Sequence, residues 1–221
     1  MDFGLAFSYV FKDPDWFKKI GIIALVSLIP IIGQIVLLGW ALQITKRVMV
    51  KNPDVLPEMD FAEDLKHGFM ALVISFVYTL PITAVASIFA ITDAAVGNYS
   101  NQDSFWTVLS IISICFAFFA IIYGILVSLV LPAAYANYLE KDQLSAGFAL
   151  KEVFGLVRAN PGAYILVFLG MILVGLIAPI GAIACIIGAV LTAAYGQAVM
   201  GHLYGQAYNA AKPAPVEIIT P

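Results

Sequence analysis

Charge is what this sequence has least of. Asp, Glu, Lys and Arg make up 11% of 221 residues, where soluble domains carry about 25%, so a water-exposed globule of this length is excluded. Cysteine and histidine number two each, and their placement gives no metal-ligand spacing and no disulfide framework, so no cofactor or metal is expected. Cys115 and Cys185 both sit in apolar runs, where a thiol behaves as a small hydrophobe. A net charge of −3 and the want of any basic run interleaved with aromatics argue against nucleic acid as a partner. No HExxH or CxxC motif occurs, and Ser110, Ser113 and Ser128 have no His or Asp in register, so the chain is not expected to be an enzyme. The opening residues MDFGLAFSYVFKDPDWFKK lack the basic start and small-residue cleavage site of a signal peptide.

Long apolar runs are what the sequence does have. Residues 163–208 hold no charged side chain; as one helix they would run about 69 Å, roughly twice a hydrocarbon core, so they predict two crossings of a bilayer. The break is expected at Pro179-Ile180-Gly181, where a missing N–H and a flexible glycine allow reversal. A small residue recurs every fourth position at Gly181, Cys185, Ala189 and Ala193 and again at Gly201 and Gly205. Such a stripe lets another helix approach closely, because tight packing holds helices together in lipid.

In chain order, residues 1–50 read as an interfacial helix (Phe3, Phe7, Val10, Phe11) followed by a first hairpin. Asp13 would cap the next helix, with Pro14 in its first position. The run 20–45 fits either one tilted helix or a hairpin turning at Pro30-Ile31-Ile32-Gly33, and the basic residues favour the hairpin. Three Lys or Arg precede Ile20, four lie between Lys46 and Lys66, three between Lys141 and Arg158, and one at Lys212. A hairpin places all eleven on one side, as the positive-inside rule prefers; a single helix divides them eight to three. Residues 51–67 then form a cytoplasmic connection, 68–92 a span kinked by Pro81 with Thr79 and Thr83 available to the freed carbonyl, and 104–139 a second span bent at Pro132. The link between them, with an Asn98-Tyr99-Ser100 glycosylation match, faces outside. Residues 140–161 are an amphipathic connection, 162–208 the second hairpin and 209–221 a tail. The whole is an all-α, polytopic transmembrane bundle of two hairpins flanking two single spans, multi-pass in the cell membrane, with both termini cytoplasmic.

A loose internal repeat links the two hairpins. FGLAFSYVFKDPDW and FALKEVFGLVRANPGAY each give an amphipathic lead, a Val-Phe pair and a Pro-containing corner before an apolar run broken at Pro-Ile-Ile-Gly or Pro-Ile-Gly. The opening Pro14-Asp15-Trp16, the Gly39-Trp40 pair, the Leu56-Pro57-Glu58 loop with Gly68 downstream, and the closing Gly205-Gln206-Ala207-Tyr208 resemble domain of unknown function 4013, an uncharacterised family of prokaryotic integral membrane proteins. The likeness covers nearly the whole chain. Met59 stands where the family tends to show an aromatic, and Ala194 where a proline is usual. The resemblance implies fold and location and no mechanism.

Few residues could carry chemistry. His202 is the ionisable residue within a predicted span, with Gln197, Gln206 and Tyr195 near it, and a proton or axial-ligand role competes with a plain hydrogen bond near the helix end. His67 reads as interfacial, and Asp60, Glu63 and Asp64 as a solvated helix start with acids at its positive dipole end. The expectation is therefore a packing, scaffold or accessory subunit that meets lipid and a membrane-protein partner, or a second copy, through the Gly181 to Gly205 face. A small-solute transporter is the alternative, motivated by the repeat and by prolines at membrane depth.

Overall fold

The computed structural model describes residues 1–96, 103–183 and 185–212. The Asn98 match and the tail beyond Lys212 lie outside the described residues, as do the side chains of 92–96, 103–106, 108, 109, 178, 185 and 186, Cys185 included. Every regular element among them is helical: α1 (Phe3–Ser8), a 3-10 turn (Tyr9–Lys12), α2 (Trp16–Ser27), α3 (Ile32–Met49), α4 (Phe61–Val96), α5 (Asp103–Lys141), α6 (Leu144–Gly147), α7 (Leu150–Ala159), α8 (Pro161–Ile183) and α9 (Cys185–Ala211). Three are long and apolar enough to cross a membrane, over Phe61–Ile91, Ser110–Lys141 and Pro161–Ile183.

The chain divides into two compact units, residues 1–74 with 129–221, and residues 75–128. In the larger unit the run 20–45 is two helices, parted where Ile31 takes a φ of 65° just before Gly33, on which a Cβ would overlap the Val26 carbonyl oxygen. That close return explains the glycine. Ile20, Ile23 and Trp40 meet in one core with Tyr9, Val10, Val36, Leu56, Ala194 and Ala198, so α2 and α3 face each other across the tip. Asp15, not Asp13, precedes α2, and Asp13 instead accepts from the Asp15 N–H at 2.8 Å. Asp2 caps α1 through the Leu5 N–H at 2.9 Å. The face that α1 and its 3-10 turn bury is Ala6, Tyr9 and Val10, leaving Phe11 outside.

One expected break falls elsewhere. α8 continues past Pro179 and Gly181 to Ile183, and α9 begins at Cys185. Gly181 serves approach rather than reversal, since a Cβ there would overlap Thr192 Oγ1 and stand 2.5 Å from the Gly188 carbonyl oxygen on α9. α5 stays helical through Pro132, and α4 through Pro81. Thr79 and Thr83 do not serve the carbonyl that Pro81 frees, that of Val77: Thr79 donates to Ser75 and Phe76, and Thr83 to Thr79 and Leu80.

In the smaller unit α4 and α5 run antiparallel, joined where Tyr123 Oη donates to the Tyr78 carbonyl at 2.7 Å and where the Phe89 and Phe116 rings meet at 4.9 Å. Most of their apolar surface stays outside: Phe76, Ile88, Phe118, Phe119 and Ile121 are all more than half exposed.

Candidate functional site

The polar residues singled out on α9 come together, and the structure gives most of them work within the chain. Gln206 Oε1 accepts the Asp2 N–H at 2.7 Å, and its Nε2 lies 2.9 Å from the Asp2 carbonyl oxygen and 2.9 Å from His202 Nδ1. Tyr195 Oη donates to the Phe7 carbonyl at 2.7 Å, and Tyr9 Oη donates back to the Ala198 carbonyl at 3.0 Å. The Tyr9 and His202 rings stack at 4.3 Å. Four side chains thus stitch the N-terminal segment along α9; Gln197, half-buried on the same helix, is not brought into this set by any hydrogen bond among the described residues.

Beside this seam lies an open groove of about 340 Å³, lined by the 3-10 turn, the 53–56 loop and His202. Its floor is held by ion pairs. Lys19 Nζ reaches Asp13 Oδ2 at 2.7 Å and the Leu56 carbonyl at 2.8 Å, and Arg47 reaches the Asp54 carbonyl at 2.8 Å and Oδ2 at 3.1 Å. Burial alone would push the Asp13 carboxyl up, but the hydrogen bonds from Lys19 and the Asp15 N–H, with the Lys19 charge, hold it below the usual carboxylate range.

The small-residue stripe is also spent within the chain at its C-terminal half. Gly201 and Gly205 lie on α3: a Cβ on Gly201 would overlap the Ala41 carbonyl oxygen, and one on Gly205 would stand 2.5 Å from Val48 Cβ and 2.8 Å from the Thr45 carbonyl oxygen. Thr45 shares its hydroxyl between the Gly201 and Ala41 carbonyls at 2.9 and 3.1 Å, and Asn209 Nδ2 donates to Val48 at 2.8 Å. The expectation that these glycines receive another polypeptide is therefore corrected; the helix they receive is α3. Ala189 is half-buried and Ala193 exposed.

In a second polar cluster Asp60 and Glu63 are exposed, as expected of a solvated helix start, while Asp64 is buried. Asp60 caps α4 through the Ala62 and Glu63 N–H groups at 3.1 Å. Asp64, one turn on, is fully buried; its Oδ2 accepts the Asp60 N–H at 3.0 Å, and its Oδ1 has no donor among the described residues. His67 is buried too, with Nδ1 2.8 Å from Tyr138 Oη and Nε2 3.6 Å from Glu63 Oε1. What buries Asp64 is a helix crossing: a Cβ on Gly39 would overlap the Asp64 carbonyl oxygen, and one on Gly68 would overlap that of Ile35. Gly39 and Gly68 entered the sequence reading only through the family resemblance. Among the described residues no three His, Cys, Asp or Glu side chains are placed to hold a metal ion.

The model of the family described as proteins of unknown function, DUF4013, matches residues 22–187. The chain belongs to the DUF4013 family. The matched part of this DUF4013 protein contains the Gly39–Gly68 crossing and three helices able to cross a membrane, and it ends before Gly201, His202 and Gln206. Searches among curated proteins and among solved structures find no match.

Proposed function

We propose that this DUF4013 protein is an integral membrane protein, multi-pass with both termini cytoplasmic, that works by packing rather than catalysis, as a scaffold or accessory subunit of a membrane assembly. One contrast carries the reading. The polar side chains most suited to chemistry, His202, Gln206 and Tyr195, are used in holding the chain to itself, while the two longest apolar helices keep their side chains outward. Within the most apolar stretches of α4 and α5 only 11% and 6% of residues are buried. In a bilayer such surface meets acyl chains, and its side chains can supply the van der Waals contact by which helices associate where water is absent. Phe76, Phe118 and Phe119 are exposed in the 75–128 unit, and with Gly201 and Gly205 occupied by α3 they offer surface on which a neighbouring membrane chain would seat.

Native mass spectrometry of the protein extracted in mild detergent tests this. The expected result is a stoichiometric species heavier than the 23.8 kDa chain, reverting to the single chain when Phe76→Ala and Phe118→Ala are combined. A single chain at every detergent concentration contradicts the accessory role.

A further inference from the structure

We propose that the groove between the N-terminal segment, the 53–56 loop and His202 binds a phosphate group, with its unspent donors on Lys12 and His202. The argument begins with the tautomer. A backbone N–H can only donate, so the contact from Asp2 N fixes which end of the Gln206 amide is oxygen. The other end is then the NH₂ group, and it faces the Asp2 carbonyl oxygen and His202 Nδ1, both at 2.9 Å. Both amide hydrogens are consumed, so Nδ1 accepts, and the ring proton sits on Nε2.

His202 is 4% exposed and lines the groove. Among the described residues nothing accepts from its Nε2–H, and the Lys12 ammonium on the same wall has no carboxylate. The two carboxylates that also line the groove do not supply one. Asp13 is taken by Lys19 and the Asp15 N–H, and Asp54 by Arg47, with Lys19 3.9 Å away. Three cations thus surround two carboxylates, and the charge left over is on Lys12. Asp2 acts on the His202 ring as well but does not line the groove.

An ammonium and a preset imidazole N–H on two residues that line a space of about 340 Å³ suit a compact anion with several acceptor oxygens. Phosphate has that form, and charge-assisted bonds to it are the strong kind. Leu5, Val55 and Leu56 supply apolar wall beside the donors, as a phospholipid headgroup entering from the acyl region would need; a soluble phosphate ester shares the same donor chemistry. The site does not depend on the accessory role, because lipid or ester would bind a lone chain equally well.

The test uses purified full-length protein in an uncharged detergent, with Lys12→Gln, an exposed position, and His202→Asn. The asparagine oxygen keeps an acceptor near the Nδ1 position and removes the groove N–H. Native mass spectrometry after a delipidating wash follows retained phosphatidylglycerol, and thermal denaturation follows added glycerol 3-phosphate. One retained phospholipid in the wild type, reduced at least about tenfold in Lys12→Gln, supports the site with lipid as its source. A rise in melting temperature with glycerol 3-phosphate that Lys12→Gln abolishes supports it with a soluble ester as the source. The same loss in His202→Asn, with melting temperature preserved when no ligand is added, assigns the second donor. Binding of neither probe, or equal binding by wild type and Lys12→Gln, overturns the proposal.

Discussion

Leucine in place of Gly39 or Gly68 will prevent folding, and even alanine at either position will lower the melting temperature of the detergent-purified protein by roughly 5–10 °C. A Cβ on Gly39 lands on the Asp64 carbonyl oxygen with the Gly68 nitrogen 2.7 Å away, and a Cβ on Gly68 lands on the Ile35 carbonyl oxygen with the Gly39 nitrogen 3.0 Å away. Both obstacles are backbone, and no rotamer change relieves them. Overpacking of this kind costs about 1–3 kcal/mol or more, and for chains of this size each kcal/mol moves the melting temperature by about 2–4 °C. Gly21, Gly124 and Gly175 are the controls, since a Cβ there meets nothing within 4 Å. Alanine at those positions should be neutral or stabilising, by up to about 1 kcal/mol from helix propensity. Equal losses at all five glycines would show that the α3–α4 crossing is not the feature that matters.

Trp40→Ala will cost about 3–5 kcal/mol, and Trp40→Phe about 1 kcal/mol. Trp40 is fully buried where α2, α3 and α9 meet, against Ile20, Ile23, Leu56 and Ala198, and its indole N–H donates to the Pro57 carbonyl at 3.2 Å. Alanine leaves a cavity in that core; phenylalanine fills most of it and forfeits the hydrogen bond that fastens the 53–57 loop. Chemical denaturation in mixed micelles reads both values. Trp40→Ala losing no more than Trp40→Phe would mean that packing contributes little there and the hydrogen bond nearly everything.

The helices themselves were legible because a bilayer imposes a length. Runs too long and too apolar for a soluble core mark α4, α5 and α8, and the turn before Gly33 announces itself through Pro30 and the distribution of eleven basic residues. Position within the bundle was not legible. Asp64 follows Asp60 and Glu63 at the start of a helix, a pattern that normally means solvation, and only the glycine opposite, on α3, brings backbone close enough to bury it. Gly201 and Gly205 show on sequence that something approaches them, yet spacing does not distinguish α3 from a foreign helix. Pro179 marks the end of α8 only approximately, because a proline near a helix terminus forfeits a single intrahelical hydrogen bond and the helix runs on to Ile183. His202 and Gln206, one turn apart on α9, are visible in the sequence as polar residues in an apolar run. Their partner, the N-terminal segment, is some 200 residues away in the chain, and no local pattern encodes it.

The central claim is that these apolar helices lie in hydrocarbon, and the native Cys115 tests it most directly. It is exposed on the surface of α5, within the stretch from Ser110 able to cross a membrane. A polar, water-soluble reagent does not enter hydrocarbon, so a thiol facing lipid is out of its reach. In a Cys185→Ser background, a water-soluble maleimide given to both faces of opened native membranes should leave Cys115 unmodified, and should label it promptly once sodium dodecyl sulfate dissolves the bilayer. Prompt labelling in the intact membrane would place α5 in water and contradict the claim.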